Sequence, residues 1–142
     1  MDFEEYRGLV VSDCNRCKPN RDSIIKSIAC NPQLRYLFIL RTTRFLFERK
    51  GSFLFPLYAL FKLILSLYSY NFKTRVSFRT EISPGFSIDS LGKIFISPHA
   101  TIGRNCSINR GVIICSLNKG KHPGAPVIKD NVYIGPDSKI AG

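Results

Sequence analysis

The sequence has few acidic residues, few histidines and no second cysteine pair, and each shortage narrows the functions that the chain can have. Cys14 and Cys17 form a single C-x-x-C motif among five cysteines, and the chain has two histidines. A structural zinc site needs four ligands, and neither another cysteine pair nor a suitably spaced histidine completes the tetrahedron. The sequence therefore predicts no metal site.

Acidic side chains are outnumbered, because ten aspartates and glutamates stand against 21 lysines and arginines, giving a formal net charge of +11. Such a charge favours anionic partners, namely a nucleotide-bearing cofactor, a membrane surface or nucleic acid, although a basic protein need not have one. No helix-turn-helix, zinc-finger or interleaved aromatic pattern accompanies the charge. Binding to nucleic acid is therefore not predicted.

The amino terminus, MDFEEYRGLV, is acidic and lacks the apolar stretch of a secretion signal behind a basic start. An odd number of cysteines in such a chain indicates reduced thiols. These features predict a cytoplasmic protein. A chain of 142 residues supports one domain, or a small helical region joined to one solenoid.

Isoleucine or valine recurs every six residues from Val76 onwards, which is the most specific pattern in the sequence. Strict alternation has a period of 2 and a helix of 3.6, so this period indicates a solenoid in which each hexad supplies one short strand and one corner. Three strands then make a triangular coil with one apolar side chain per hexad in its core. The recurring residues are Val76, Ile82, Ile88, Ile96, Ile102, Ile108, Ile114, Ile128, Ile134 and Ile140.

Turn-forming residues between these positions predict corners at which φ is positive. They are Gly85, Gly103, Asn105, Gly111, Asn131 and Gly135. The period breaks twice, because the spacing is eight between Ile88 and Ile96 and fourteen between Ile114 and Ile128. Loops on rigid scaffolds commonly carry function, so both breaks are candidate site positions.

Residues 1–75 are predicted to form a helical region distinct from the solenoid at 76–142. Residues 1–22 are polar and mixed, with a loop at CNRCKPNRD, and a short helix is predicted for Ser23–Ala29. Residues 34–51 have apolar side chains near helical spacing, with Gly51 as the stop. We expect this helix to project a basic remainder, formed by Arg35, Arg41, Arg44, Arg49 and Lys50.

The most apolar run, residues 53–70, approaches the length of a membrane-spanning helix but contains Pro56 and Lys62. Three interpretations remain open. The run packs against the other helices or a neighbouring subunit, lies on the inner face of a membrane beside the preceding arginines, or spans the membrane. The interruptions favour the first.

The hexads, the corner pattern IGRNCSINRGVII and the block PVIKDNVYIGPDSKIAG resemble hexapeptide-repeat acyltransferases. The region NPQLRYLFILRTTRFLFERKG followed by ISPGFSID is similar to the serine O-acetyltransferases, a group that includes acetyltransferases of surface-polysaccharide gene clusters. The resemblance covers residues 31–142. It implies an α+β protein in which helices precede a left-handed parallel β-helix, a homotrimer, and acetyl-CoA bound between neighbouring solenoids.

In this family a histidine acts as general base and deprotonates the hydroxyl that attacks the thioester. The first catalytic histidine corresponds to Ser90, after Asp89, and the carboxylate that orients it corresponds to Arg75. A serine hydroxyl is a poor general base. The second histidine corresponds to His122, a substrate contact or substitute base, whereas His99 is expected to be a corner residue. The candidate catalytic residues are therefore Asp89, Ser90 and His122.

The resemblance places coenzyme A near the second break and the last strands. Lysines there are candidates to pair with its phosphates. The family also uses a backbone amide just after a glycine that corresponds to Gly135, but the next residue, Pro136, has no N–H. The candidate cofactor-binding residues are Ser116, Lys119, Lys121, Lys129, Gly135 and Pro136. Since the chain stops within a hexad where the family continues, we expect it to be a fragment.

Two functions from different classes follow. The first is an acetyl-CoA-dependent O-acetyltransferase that acts on the hydroxyl of L-serine or a saccharide. The alternative is a catalytically impaired solenoid that serves as an assembly or regulatory subunit, which Ser90 and Arg75 suggest.

Overall fold

A computed structural model describes residues 2–17, 24–49, 54–117 and 123–142. Within these ranges four helices come first: α1 (Phe3–Cys17), α2 (Ile24–Cys30), α3 (Pro32–Glu48) and α4 (Phe55–Phe72). Short strands follow: β1 (Arg75–Val76), β2 (Glu81–Ile82), β3 (Ser87–Ile88), β4 (Phe95–Ile96), β5 (Thr101–Ile102), β6 (Ser107–Ile108), β7 (Ile113–Cys115), β8 (Val127–Ile128), β9 (Tyr133–Ile134) and β10 (Lys139–Ala141).

The strands form three parallel sheets, as expected for a triangular solenoid. Sheet A has the order β1-β4-β7-β10, sheet B has β2-β5-β8, and sheet C has β3-β6-β9. Each coil therefore passes through A, B and C in turn: coil 1 is β1–β3, coil 2 is β4–β6, coil 3 is β7–β9, and β10 begins a fourth. The strand register places Ile82 opposite Ile102 and Ile102 opposite Ile128. The predicted hexad columns are confirmed.

One isoleucine or valine from each strand fills the core of this β-helix. Ile108 and Ile114 have no solvent exposure, and Ile96 and Ile102 are 1% exposed. Full burial of one such side chain contributes about 1.5–3 kcal/mol, so a single stacked column can organise coils whose strands are only two or three residues long. The period of six is the spacing that brings each of these side chains to the same interior.

Positive φ occurs where coils stack at the corners after sheets B and C. The prediction is confirmed for Gly85, Asn105, Gly111 and Asn131. It is wrong for Gly103 and Gly135, which directly follow a strand, where the backbone has not yet entered the turn; the left-handed position comes two residues later. Lys93 and Asp137 also have positive φ, at 49° and 58°, and were not predicted.

Gly103 is needed for close contact between coils rather than for its φ. A Cβ there would lie 2.5 Å from Asp130 Oδ1 and 2.7 Å from the carbonyl carbon of Lys129. We expect Gly103→Ala to lower the free energy of unfolding by about 1–3 kcal/mol, because backbone would have to move. Gly135→Ala is the matched control, since a Cβ there meets no atom within 4 Å. Urea unfolding measures both, and equal losses would contradict this assignment.

Helix α3 covers the first coil and closes that end of the β-helix core. Its side chains Tyr36, Leu37 and Leu40 are buried in one cluster with the isoleucines of the coils. The hydroxyl of Tyr36 donates to the carbonyl of Thr74 and accepts the N–H of Val76, both at 3.3 Å. The predicted helix is confirmed, while its proposed stop, Gly51, lies outside the described residues. The division at 75/76 stays a prediction.

The N-terminal segment is helical to Cys17, so the prediction of a loop from Cys14 is wrong in its first part. The reason is a buried ion pair that no local pattern reveals. Asp13 accepts hydrogen bonds from Arg41 Nε (3.1 Å) and from the N–H groups of Gly85 and Phe86 (3.0 and 2.9 Å). The carboxylate thus ties α1 both to α3 and to the corner after sheet B.

Arg41 was expected in the basic remainder of its helix, and that prediction is wrong. Its side chain is 4% exposed in the ion pair, and Nη1 and Nη2 donate to the carbonyls of Ile82 and Ser83 at 2.5 and 3.0 Å. Arg44, one turn later, likewise donates to the carbonyl of Thr80 (2.9 Å). These arginines hold α3 against the first coil, because they donate to backbone carbonyls in and beside strand β2.

Helix α4 is mostly apolar on its outer side as well as on the side that packs. Tyr58 and Leu65 are buried, whereas Leu57, Leu63 and Tyr70 are exposed. None of the helices among the described residues has the length and apolar character needed to cross a bilayer. Packing against the other helices is confirmed for the inner side of α4, which contacts α3.

Candidate active site

The corner after sheet C brings two of the predicted residue pairs onto one edge of the β-helix. Asp89 and Ser90 lie there in coil 1, and Gly135 and Pro136 lie there in coil 3. The coils stack directly, because Asp89 N–H donates to Ile108 O (2.9 Å) and Asn109 N–H donates to Ile134 O (3.1 Å). A predicted catalytic pair and a predicted cofactor pair therefore share this edge.

The first break in the period widens this same corner. Coil 1 takes eight residues from Ile88 to Ile96, whereas coil 2 takes six from Ile108 to Ile114. The extra residues form a turn in which Gly92 has φ 139°, and its carbonyl accepts the N–H of Gly111 at 2.8 Å. Asp89 is exposed and Ser90 is half-buried at the start of this wider turn.

Ser116 and Lys129 lie at the other two corners. Ser116 follows sheet A in coil 3, and its Oγ is 2.8 Å from Ser97 Oγ in the coil below. Lys129 follows sheet B and is exposed. His99 is also exposed, at the corner after sheet A. Within one chain these residues are not brought to Asp89.

The second break begins at the corner after sheet A in coil 3, beyond strand β7. Leu117 and Gly124 close its base, each donating its N–H to the other's carbonyl at 2.9 Å. The candidates Lys119, Lys121 and His122 lie outside the described residues.

A polar cavity of about 280 Å³ adjoins Asp89 and was not predicted from the sequence. One wall comes from the helices, through Arg16, Asn31 and Gln33, and the other from strand β3. Arg16 Nη2 donates to Ser107 Oγ (3.2 Å), which also accepts a hydrogen bond from Ser87 Oγ (2.8 Å). The end of α1 thereby faces sheet C, and a guanidinium, two amides and a carboxylate converge on one space.

A larger cavity of about 710 Å³ lies between α1, α3 and sheet B. It contains none of the predicted site residues. Two of the charged side chains that line it form a salt bridge with each other, since Arg44 pairs with Glu48 at 3.0 Å. We therefore assign the site to the smaller cavity, because it is the one that contains Asp89.

Among the residues that the structure describes, no group of three or more histidine, cysteine or acidic side chains is placed to hold a metal ion. Cys14 and Cys17 are free thiols at the end of α1. Burial raises the pKa of Cys17 to about 11, and the negative charges of Asp13, Cys14 and Asp89 act in the same direction, against the charge of Arg16.

Cys17 should consequently react slowly with alkylating agents. At neutral pH its thiolate fraction is about 100-fold below that of a thiol with the ordinary pKa of 9.0. We expect its alkylation by iodoacetamide, followed by mass spectrometry, to accelerate with pH up to about 11. The exposed Cys30 is the internal comparison. Equal rates for the two at neutral pH would contradict the assignment.

No protein-family model matches the chain, and no curated protein sequence does. Solved structures match it over nearly its whole length. The serine acetyltransferase of Brucella abortus strain S19, solved with coenzyme A, has a TM-score of 0.75 and 18% identity, covering 99% of this chain and 55% of its own. The Neisseria gonorrhoeae serine acetyltransferase, solved with serine, has a TM-score of 0.73 and 18% identity, covering 96% and 55%.

Isoform 3 of the Entamoeba histolytica serine acetyltransferase, solved with cysteine, has a TM-score of 0.69 and 22% identity over 96% of this chain and 48% of its own. This chain spans about half the length of these structures. At such identities the likeness concerns the fold. The chain therefore has the fold of the serine acetyltransferases, N-terminal helices followed by a left-handed parallel β-helix, as its sequence predicts.

Proposed function

We propose that the chain is an acetyl-CoA-dependent O-acetyltransferase that transfers an acetyl group to the hydroxyl of L-serine or a saccharide in the cytoplasm. The observation that carries the proposal is the fold that this chain shares with serine acetyltransferases. One of those enzymes was solved with coenzyme A and another with serine. The polar cavity beside Asp89 adds support, because it lies on the edge that also carries Gly135 and Pro136.

The reaction needs an acceptor oxygen, a thioester and a base. The acceptor oxygen attacks the thioester carbonyl and a C–O bond forms while the acceptor proton passes to the base. The C–S bond then breaks, and the base returns the proton to the departing sulfur, so that coenzyme A leaves as a thiol. Asp89 is the carboxylate at the cavity, and Arg16 lies on its opposite wall. We assign Arg16 and Asp89 to binding the acceptor. We assign His122 to accepting its proton, as a substitute for the histidine that the family has where this chain has Ser90.

The spread of the candidates over three corners favours a trimer. Ser116 and Lys129 lie at corners other than that of Asp89, so one chain cannot place all of them around one coenzyme A. When three solenoids stand side by side, different corners of neighbouring copies face each other. In this arrangement Asp89 and Gly135 of one copy meet the loop or Lys129 of the next, and each cofactor lies between two copies.

Small polar acceptors suit the cavity. Asn31 and Gln33 offer amide donors and acceptors, Asp89 offers acceptors, and Arg16 offers donors. An acceptor with several hydroxyls, or with an ammonium and a carboxylate, can engage this mixture. L-serine and a sugar both meet that description, and the cavity chemistry does not separate them.

A second function, that of a non-catalytic assembly or regulatory subunit, is favoured by the residues at the edge itself. Ser90 stands at the widened turn without an imidazole, and Pro136 presents no N–H at the top of the same edge. A solenoid that keeps the fold and lacks these groups would still associate with other copies.

Release of the coenzyme A thiol from acetyl-CoA tests the proposal, with L-serine and a panel of monosaccharides as acceptors. Acceptor-dependent release that falls in Arg16→Gln and Asp89→Asn, through a higher KM for the acceptor, is the expected result. Glu81→Gln is the control, since this exposed carboxylate lies on sheet B. No release with any acceptor, from a chain that binds coenzyme A in calorimetry, would support the non-catalytic subunit instead.

A further inference from the structure

Helix α4 carries an exposed apolar face whose partner the catalytic proposal does not explain. Its outward side chains follow helical spacings of three and four residues, so they form one continuous row. They are Leu57, Leu60, Leu63, Leu67 and Tyr70, with exposures of 41, 52, 58, 55 and 84%. We call this row the α4 face. A surface helix with one packed side normally turns mostly polar residues outward, whereas the outward side of α4 is mostly apolar.

The stretch of chain that contains the α4 face carries positive charge and no acidic residue. Between Glu48 and Glu81 the sequence contains six lysines and arginines and no aspartate or glutamate. Among these cations, Lys62, Lys73 and Arg75 are exposed at or beside the helix. An apolar row whose charged neighbours along the chain are all cations matches the interface of an anionic bilayer in both hydrophobicity and charge.

We propose that the α4 face lies on an anionic membrane surface, with its leucines among the acyl chains and its bordering cations at the headgroups. The geometry suits a peripheral helix, because the inner side of α4 is fixed by Tyr58 and Leu65 to the rest of the protein. Packing of this face against a second copy is disfavoured, since it would bring the lysines beside the two faces together. The membrane contact is independent of the acetyl transfer.

The contact area can be large enough to hold the protein. Removing apolar surface from water contributes roughly 25 cal/mol per Å² to the free energy of binding, and the five side chains of the α4 face all contribute. Each lysine near an anionic surface strengthens association by about fivefold. Together the two terms predict reversible binding that weakens with salt, as is typical of interfacial helices.

Flotation with vesicles tests the proposal on the full chain. Vesicles of phosphatidylglycerol and phosphatidylcholine are compared with vesicles of phosphatidylcholine alone. We expect the wild-type chain to float with the anionic vesicles. The variant Leu63→Ser/Leu67→Ser should bind them with an affinity that is lower by about tenfold or more. The matched control is Val127→Ser/Tyr133→Ser, which removes a comparable exposed apolar pair, 68 and 61% exposed, from strands β8 and β9 and should bind as the wild type does.

Circular dichroism checks that the two serine double variants remain folded. We expect them to fold, because all four substituted side chains are exposed. Lys62→Gln/Lys73→Gln should weaken binding to the anionic vesicles alone. Failure of the wild-type chain to float overturns the proposal, and so does an equal loss in the two serine double variants. If Leu63→Ser/Leu67→Ser instead breaks an oligomer in light scattering while no vesicle is bound, the α4 face joins copies of the chain and the proposal is wrong.

Discussion

Replacing Asp13 with alanine is expected to lower the free energy of unfolding by about 3–5 kcal/mol, since removal of one partner leaves a buried charge uncompensated. Arg41 is 4% exposed in its side chain and would lose the carboxylate that neutralises it. The N–H groups of Gly85 and Phe86 would lose their acceptor as well. Urea unfolding followed by circular dichroism measures the loss.

The double variant Asp13→Leu/Arg41→Met is the control for this prediction. It leaves no buried charge without a partner, so it should lose less than the single variant, although the amides of Gly85 and Phe86 lose their acceptor in both. Burial raises the pKa of Asp13, and this effect exceeds the opposing influence of Arg41 and of the two amides. The partners of the carboxylate therefore offset only part of the cost of burying it, which is why removing both charges together should cost less than removing one. A single variant that unfolds like the wild type would contradict the ion pair.

The ion pair also connects stability to the site. Arg16 lies one turn beyond Asp13 on α1 and lines the polar cavity, and it donates to Ser107, which also accepts a hydrogen bond from Ser87 on the cavity wall. Because Asp13 fixes α1 to the corner after sheet B, it also fixes the direction in which Arg16 points. Helix α1 is thus the element through which the helical region shapes the candidate acceptor site.

Periodicity predicted most of the fold because the core of a β-helix is a local pattern. Ile82, Ile102 and Ile128 align in register although a loop separates the last two, since the hexads on either side keep the same relation to the core. Helix α1 was missed for the opposite reason. Its stability depends on Asp13 meeting Arg41, 28 residues away, and neither residue belongs to a repeating pattern.

The candidate site was predicted only in part. Resemblance identified Asp89 and Ser90, and the break after Ile88 correctly marked a structurally distinct corner. The sequence did not predict Arg16 and Gln33 as site residues. They lie on two different helices that form one cavity wall, and such a wall produces no regular spacing in the sequence. Conversely, the family resemblance grouped Ser116 and Lys129 with Gly135 and Pro136 as cofactor-binding residues. In one chain they lie at different corners of the β-helix. They can surround one cofactor only if neighbouring copies of the chain contribute.

Introducing a histidine at the widened corner is expected to raise kcat/KM for acetyl transfer by about 100-fold or more, since a positioned general base contributes about 10²–10⁴-fold. Ser90→His places an imidazole next to Asp89, at the edge of the polar cavity. Adding Arg75→Asp should increase the gain, because a carboxylate orients the ring and stabilises its protonated form. Position 75 borders the strand that leaves this corner, since Arg75 N–H donates to Ile94 O at 2.6 Å.

Arg104→His is the matched control for that gain. It puts an imidazole at the equivalent place, two residues after a core isoleucine, but at the exposed corner after sheet B, away from the cavity. Thiol release from acetyl-CoA, measured with saturating and limiting acceptor, separates kcat from KM for each variant. If Ser90→His turns over no faster than Arg104→His while both still bind coenzyme A, the corner after sheet C is not where the acceptor is deprotonated, and the non-catalytic subunit becomes the better description. If only the Ser90 variants gain, the solenoid retains a working geometry that lacks one imidazole.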